Sequence, residues 1–160
     1  MIAYESCVRP LLEYCSPVWF PYFIKDIVLI ENVQKYFSRI ILRYPKLNYA
    51  DRLRLLKLES LEERRIKADI IECFKHTNNL SKNKEIIFAP SKNRFNFKGD
   101  LYEQYARTDM RKYWFENRTI RLWNHLSNDT KKLKSFTAFK NKIKNTDLSA
   151  FCRGPDLHGR

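Results

Sequence analysis

Residues 25–43 read KDIVLIENVQKYFSRIILR, and Pro45 follows shortly after. Apolar side chains recur every three or four positions along this run, which is the spacing of one face of an α-helix. A proline ends such a run because it lacks an amide donor and clashes with the preceding turn. The pattern therefore predicts an amphipathic helix that buries Ile27, Ile30, Val33, Phe37, Ile40 and Ile41.

Helical periodicity also continues on both sides of this segment. It recurs in residues 2–15, 49–56, 60–78, 113–126 and 135–145. Ser60 and Glu63 have the spacing of a capping box, and Ser135 is placed to cap the last helix. The 160 residues include only three glycines and six prolines, so turns are few. The sequence predicts a mostly α protein, a helical bundle of about five to six helices with a central irregular or short-hairpin segment.

Composition changes in the middle of the chain and again at its end. Residues 78–100 mix Asn, Ser and Lys with isolated apolar positions, which is typical of a linker. We expect an N-terminal helical unit at 1–78, a linker or extended segment at 79–104, a basic C-terminal helical unit at 105–147 and a disordered tail at 148–160.

The chain is strongly basic, with a formal net charge of +13. Residues 1–80 hold 13 Lys and Arg against 10 Asp and Glu, a net +3, whereas residues 81–160 hold 18 against 8, a net +10. Such a balance favours a polyanionic partner, although solubility alone also produces it. The second half is therefore the better candidate for contact with RNA or DNA, which we expect to be weak and salt-sensitive.

The sequence shows neither a membrane span nor a signal peptide. Charged residues interrupt the run from Ile24 to Leu42, and Glu5, Arg9 and Glu13 break any apolar leader. We expect an intracellular protein of the nucleus or cytoplasm, without a membrane partner. Its four cysteines are then most simply reduced thiols.

No pattern of residues indicates catalysis. The chain has no CxxC pair, no glycine-rich phosphate loop and no histidine next to a nucleophile in a strained turn. We therefore expect no enzyme activity, no metal, no cofactor and no small-molecule substrate. Glu62 and Glu63, the only vicinal acids, are assigned to the start of a helix.

Basic residues at helical spacing are the candidate nucleic-acid contacts. Lys35, Arg39 and Arg43 recur every four residues and predict a ridge that follows a phosphate backbone; the alternative is a solvated helix face. A second set lies among aromatic residues, a combination that suits single strands. It comprises Arg107, Arg111, Lys112, Arg118, Arg121, Lys131 and Lys132. Trp123, at helical spacing, is the aromatic residue that we assign to the core.

Four blocks of the sequence resemble one family. They are 9–19 (RPLLEYCSPVW), 26–39 (DIVLIENVQKYFSR), 52–65 (RLRLLKLESLEERR) and 115–126 (FENRTIRLWNHL), the last followed by SFTAFK at 135–140. In this order they resemble the post-polymerase region of reverse transcriptases encoded by non-LTR retrotransposons of the jockey and CR1 type.

The resemblance implies a region beyond the thumb of an RNA-directed DNA polymerase that helps to hold template RNA or target DNA. Such polymerases bind two metal ions on palm carboxylates, and the chain has no Asp-Asp pair. We expect a fragment without the palm, with Met1 an internal methionine or the start of a truncated frame. Two alternatives stay open: a module that docks on the polymerase core, and a retroelement remnant without function.

Overall fold

The computed structural model describes residues 2–43, 47–82, 86, 88–91 and 99–154. The chain is mostly helical (65%), and none of the described residues belongs to a strand. In the described ranges five α-helices have seven or more residues, and the continuous π-helical and α-helical run from Tyr4 to Glu13 brings the number to about six, which confirms the predicted fold class.

The helices follow one another in this order. They are α1 (Arg9–Glu13), α2 (Ser16–Trp19), α3 (Ile24–Leu42), α4 (Tyr49–Leu56), α5 (Leu61–Thr77), α6 (Asp109–Lys112), α7 (Phe115–His125), α8 (Asn128–Lys131) and α9 (Phe136–Lys144). A π-helical turn, Tyr4–Val8, precedes α1, and a 3-10 turn, Ser149–Phe151, follows α9. The predicted helix at 25–43 is α3; it ends with Arg43 in the left-handed region at φ 52°, while Pro45 lies outside the described residues.

The chain divides into two units. Unit 1 comprises Met1–Ile66 and Leu148–Arg160, and unit 2 comprises Lys67–Asp147. The boundary falls within α5. The predicted division at residues 78, 104 and 147 differs from this one and stays a prediction.

In unit 1 the buried face of α3 agrees only in part with the apolar stripe that periodicity predicted, since Ile27 is buried but Ile30, Val33, Phe37 and Ile41 are half-buried. The buried residues of α3 are Ile27, Glu31, Gln34 and Ser38, and Ile40 is 50% exposed. These four positions also have helical spacing, but three of them are polar. The helix adopts this orientation because Glu31 and Gln34 find hydrogen-bond partners inside unit 1, which offsets their desolvation.

The core of unit 2 is built on aromatic stacking. Phe74 of α5 and Phe139 of α9 are fully buried, with ring centroids 4.1 Å apart. Trp123 of α7 stacks on Phe139 at 5.8 Å and donates a hydrogen bond to the carbonyl of Gly99 at 3.0 Å. The assignment of Trp123 to the core is therefore confirmed. Ser135 caps α9 as predicted, accepting from the amide of Ala138 at 3.4 Å.

The segment predicted as linker or short hairpin contains one antiparallel bridge. Pro90 pairs with Leu101. The amide of Ser91 donates to the carbonyl of Asp100, and the amide of Tyr102 donates to the carbonyl of Ala89. Residues 92–98, between the two arms, lie outside the described residues.

The predicted disordered tail needs a correction. Residues 148–154 are ordered in unit 1, where Leu148, Cys152 and Gly154 are buried. Their backbone amides are bound by carboxylates of α5, a partner that local composition does not reveal. Residues 155–160 of the predicted tail lie outside the described residues.

Candidate nucleic-acid interface

Two side chains cap the N-terminus of α5 by accepting hydrogen bonds from its first amides. The hydroxyl of Ser60 accepts a hydrogen bond from the amide of Glu63 at 3.1 Å, which is the serine part of the predicted capping box. The Glu31 carboxylate accepts from the amide of Leu61 with both oxygens, at 3.1 and 3.2 Å, and from the hydroxyl of Tyr49. A carboxylate is favoured there because the first amides of a helix are unpaired. Burial nevertheless dominates and raises the pKa of Glu31.

Gln34 extends this buried network one turn further along α3. Its carbonyl oxygen accepts from the hydroxyl of Tyr4 at 2.7 Å. Its amide donates to the hydroxyl of Tyr49 at 3.0 Å and to the carbonyl of Glu59 at 2.9 Å. Each polar atom of the Gln34 side chain is thereby used within unit 1.

The vicinal acids Glu62 and Glu63 do more than begin a helix. Glu63 accepts from the amide of Leu148 at 3.1 Å. Glu62 accepts from the amides of Arg153 and Gly154, both at 3.0 Å. The two carboxylates therefore attach the end of the described chain to the first turn of α5, which sequence patterns did not indicate. Both acids lie in the first turn of α5, as assigned, and these hydrogen bonds give them a structural role.

Arg65 places a positive charge inside unit 1. The residue is fully buried, and its three guanidinium nitrogens have no hydrogen-bond partner among the described residues. The rings of Trp19 and Phe20 lie 5.9 and 5.7 Å from the guanidinium carbon. Burial lowers the pKa of Arg65, while the carboxylate of Glu31 is the largest opposing influence. Arg65 thus balances buried carboxylates and is not available as a surface contact.

Two residues predicted to bind nucleic acid are instead internal partners in unit 2. Arg118 donates to the fully buried carboxylate of Asp69 at 2.7 and 3.2 Å. Lys131, with 2% of its side chain exposed, donates to Asp100 at 2.6 Å and to the carbonyl of Asn124 at 2.8 Å. We therefore remove Arg118 and Lys131 from the candidate interface, because a phosphate would have to displace these buried carboxylates.

Other predicted contacts of unit 2 do lie at the surface. Arg107, Arg111 and Lys132 are exposed, and Lys112 is half-buried with its ammonium 5.5 Å from the ring centre of Tyr113. Arg121 is exposed but forms an ion pair with Glu103. Arg107, Arg111, Lys112 and Lys132 therefore define the basic surface of unit 2.

The predicted ridge on α3 has two exposed members. Arg39 and Arg43 are exposed, whereas the Lys35 ammonium lies 5.4 Å from the ring centre of Tyr49 and the residue is half-buried. Arg39 and Arg43 form the basic surface of unit 1. Because the ridge and the unit 2 surface belong to separate units, each is a candidate by itself.

Aromatic residues near the unit 2 basic surface are unusually exposed. Tyr105 is 88% exposed and Trp114 is 64% exposed, whereas Trp123 is buried. Tyr105 and Trp114, and not Trp123, therefore expose ring surface that a ligand can contact.

The four cysteines differ in environment. Cys7 and Cys15 are exposed, while Cys73 and Cys152 are buried free thiols, one in each unit. Burial raises the pKa of Cys73 well above its usual value and that of Cys152 to about 12. Across the described part of the chain, no three His, Cys, Asp or Glu residues are grouped to hold a metal ion.

No helix in the described ranges is both long and apolar enough to cross a membrane. Comparison with known proteins adds nothing further, since no family model, no curated protein and no solved structure matches this chain.

Proposed function

We propose that this chain is the post-polymerase region of a non-LTR retrotransposon reverse transcriptase of the jockey and CR1 type, and that it holds RNA or DNA by charge. The role needs no catalytic group. The observation that carries it is the basic surface of unit 2 on a chain of net charge +13, close to exposed aromatic rings.

The position of the family-like blocks supports this proposal. The block at 26–39 supplies Glu31 and Gln34 to the buried network of unit 1, and the block at 52–65 supplies Glu62 and Glu63. The block at 115–126 supplies Arg118 to its ion pair and Trp123 to the core of unit 2. These blocks carry residues that the fold requires, so a related chain with the same fold would share them.

Exposed cations bind nucleic acid through release of the ions condensed on its phosphates. Each phosphate contact lowers the slope of log affinity against log salt by about 0.7 for a single strand and about 0.9 for duplex DNA. Arg107 and Arg111 are suited to such contacts because they are exposed and form no ion pair with the described part of the chain. The affinity is expected to fall steeply as salt rises.

Fluorescence anisotropy across a salt series tests the proposal. Labelled 20-nucleotide RNA and DNA would be titrated with the chain and with the Arg107→Ala/Arg111→Ala and Arg39→Ala/Arg43→Ala variants. The Lys25→Ala/Arg54→Ala variant is the matched control, because it also removes two exposed cations of unit 1.

The wild-type chain should show a log-linear salt dependence, and the Arg107/Arg111 variant a slope about 1.4 units shallower on a single strand if both contacts are lost. The Arg39/Arg43 variant reports whether the unit 1 ridge takes part. Absence of binding by a folded sample at low salt, or an equal effect of the Lys25/Arg54 control, contradicts the proposal.

A docking module is the second candidate, and one observation favours it. Unit 1 leaves many large apolar side chains at its surface, among them Ile2, Leu11, Tyr14, Val18, Phe23 and Ile24. Exposed apolar patches of this kind commonly mark protein interfaces. Sedimentation velocity of the chain alone and with a polymerase core of the same family separates the candidates, since a docking module forms a complex whose stability does not fall with salt.

A further inference from the structure

The segment around α6 presents flat aromatic rings beside positive charge. Tyr105 and Trp114 are mostly exposed, although large apolar rings normally bury their faces. Arg107 and Arg111 lie between them in the chain and are also exposed. Rings and guanidinium groups therefore share one short stretch of unit 2.

Local hydrogen bonds connect the parts of this stretch. The Arg111 guanidinium donates to the side-chain carbonyl of Gln104 at 2.8 Å, which brings the residue before Tyr105 next to α6. The side-chain amide of Asn117, at the start of α7, donates to the Arg111 carbonyl at 2.8 Å. The hydroxyl of Thr108 caps α6 by accepting from the amide of Arg111 at 3.4 Å. These bonds connect the residue before Tyr105, α6 and the first turn of α7.

The charge of Arg111 remains available despite these contacts. Gln104 is neutral, so the hydrogen bond positions the guanidinium without neutralising it. This differs from Arg121, whose charge is balanced by Glu103. The charge of Arg111 is therefore available to an anion in the same short stretch of chain as the two rings.

We infer that this segment is a stacking site for single-stranded nucleic acid, in which bases stack on Trp114 and Tyr105 while Arg107 and Arg111 contact the phosphates. This inference rests on the proposed function and adds that the nucleic acid is bound as a single strand. Base faces are accessible in a single strand and hidden in a duplex, whereas phosphates are accessible in both. Stacking on an aromatic side chain contributes about 1–3 kcal/mol per base, so selectivity for single strands should come from the rings.

The test compares ring-deletion variants on single strands and on duplex. Anisotropy titrations with labelled (dT)20, (U)20 and a 20-base-pair DNA duplex would use the wild-type chain, Trp114→Ala and Tyr105→Ala. Tyr14→Ala is the matched control, because Tyr14 of unit 1 is a similarly exposed ring. Its neighbour in the chain is the acidic Glu13, whereas Tyr105 and Trp114 each lie two positions from a basic residue. Trp114→Phe keeps a ring at the site, and circular dichroism checks that every variant is folded.

We expect Trp114→Ala to weaken single-strand binding about 5- to 150-fold, the range that one lost stack predicts. Duplex binding and the Tyr14→Ala variant should be unchanged, and Trp114→Phe should retain most of the affinity. An equal loss on duplex, or no loss on single strands, overturns the inference while leaving the electrostatic function intact. If the wild-type chain binds neither strand form, the proposed function fails together with the stacking site.

Discussion

Arg118 and Asp69 form a two-point ion pair inside unit 2. The guanidinium Nε lies 2.7 Å from Oδ2 of Asp69, and Nη2 lies 3.2 Å from Oδ1. The Asp69 side chain is fully buried and that of Arg118 is 12% exposed. Arg118 also donates to the carbonyl of Tyr113 at 3.1 Å, so the pair links α5 to the start of α7. A residue that the sequence marked for phosphate contact therefore belongs to the fold.

Arg118→Ala should lower the free energy of unfolding by about 3–5 kcal/mol, because it leaves the buried Asp69 carboxylate without its counter-charge. Urea unfolding followed by circular dichroism measures the loss. Asp69→Ala and the double variant complete a mutant cycle, in which the second substitution should cost far less than the first. Additive losses would contradict the pairing. At temperatures where Arg118→Ala is still folded, its affinity for RNA should equal that of the wild type.

Lys131 and Lys132 are adjacent cations with opposite expected roles. Lys131→Ala breaks the buried pair with Asp100 and should cost about 3–5 kcal/mol of stability. Lys132→Ala removes an exposed charge and should change stability by less than about 0.5 kcal/mol. In the salt series, Lys132→Ala should make the slope on a single strand shallower by about 0.7. Thermal unfolding and anisotropy of both variants test this difference in role. Equal losses of stability in the two variants would contradict it.

Amide exchange tests the attachment of residues 148–154 to α5. In Glu62→Ala the amides of Arg153 and Gly154 lose their acceptor, whereas in Glu63→Ala the amide of Leu148 does. An unpaired buried group costs about 1–3 kcal/mol, so exchange at those amides should accelerate about 5- to 150-fold. Residue-resolved hydrogen exchange by NMR should show that different amides accelerate in the two variants. Glu72→Ala, which removes another α5 carboxylate, should affect neither set of amides.

The raised pKa of Glu31 predicts how stability depends on pH. Because the folded state binds this proton more tightly than the unfolded chain, whose carboxyl titrates near 4.5, the contribution of Glu31 is fully present at low pH. This stabilisation decreases as pH rises from 4.5 through the folded pKa. Above the folded pKa the stability of the wild type no longer changes with the ionisation of Glu31. Glu31→Gln stays neutral and lacks this decline. The stability of the variant relative to the wild type should therefore increase with pH across that window.

Urea unfolding at a series of pH values from 4 to 8 measures this difference. Asp51→Asn is the control, since it neutralises a partly exposed carboxylate of the same unit. A difference between Glu31→Gln and the wild type that stays constant over the whole pH range would show that the folded state does not bind this proton more tightly.

Sequence patterns located the helices well but missed the polar part of the buried face of α3. The predicted segments at 25–43, 49–56 and 135–145 correspond to α3, α4 and α9 because apolar spacing and caps are local signals. Apolar periodicity could not identify the buried face of α3, since it does not count Glu31 or Gln34 as core residues. Those residues are buried because their partners, Tyr4 and Leu61, come from distant parts of the chain.

The candidate site was predictable to the same limited degree. Net charge and the position of basic residues indicated unit 2, but they did not separate Lys132 from its buried neighbour Lys131. The partner of Arg118 lies 49 positions away in the sequence, beyond any local pattern. Exposure of Trp114 and burial of Trp123 likewise depend on tertiary packing.

The two buried thiols allow the opening of each unit to be timed separately. A thiol reagent reacts with the thiolate, so burial and a raised pKa protect Cys152 and Cys73 while Cys7 and Cys15 react at once. In a Cys7→Ser/Cys15→Ser background, modification of Cys152 would follow the opening of unit 1, and modification of Cys73 that of unit 2. Mass spectrometry of quenched time points would thus give two opening rates from one sample of native protein.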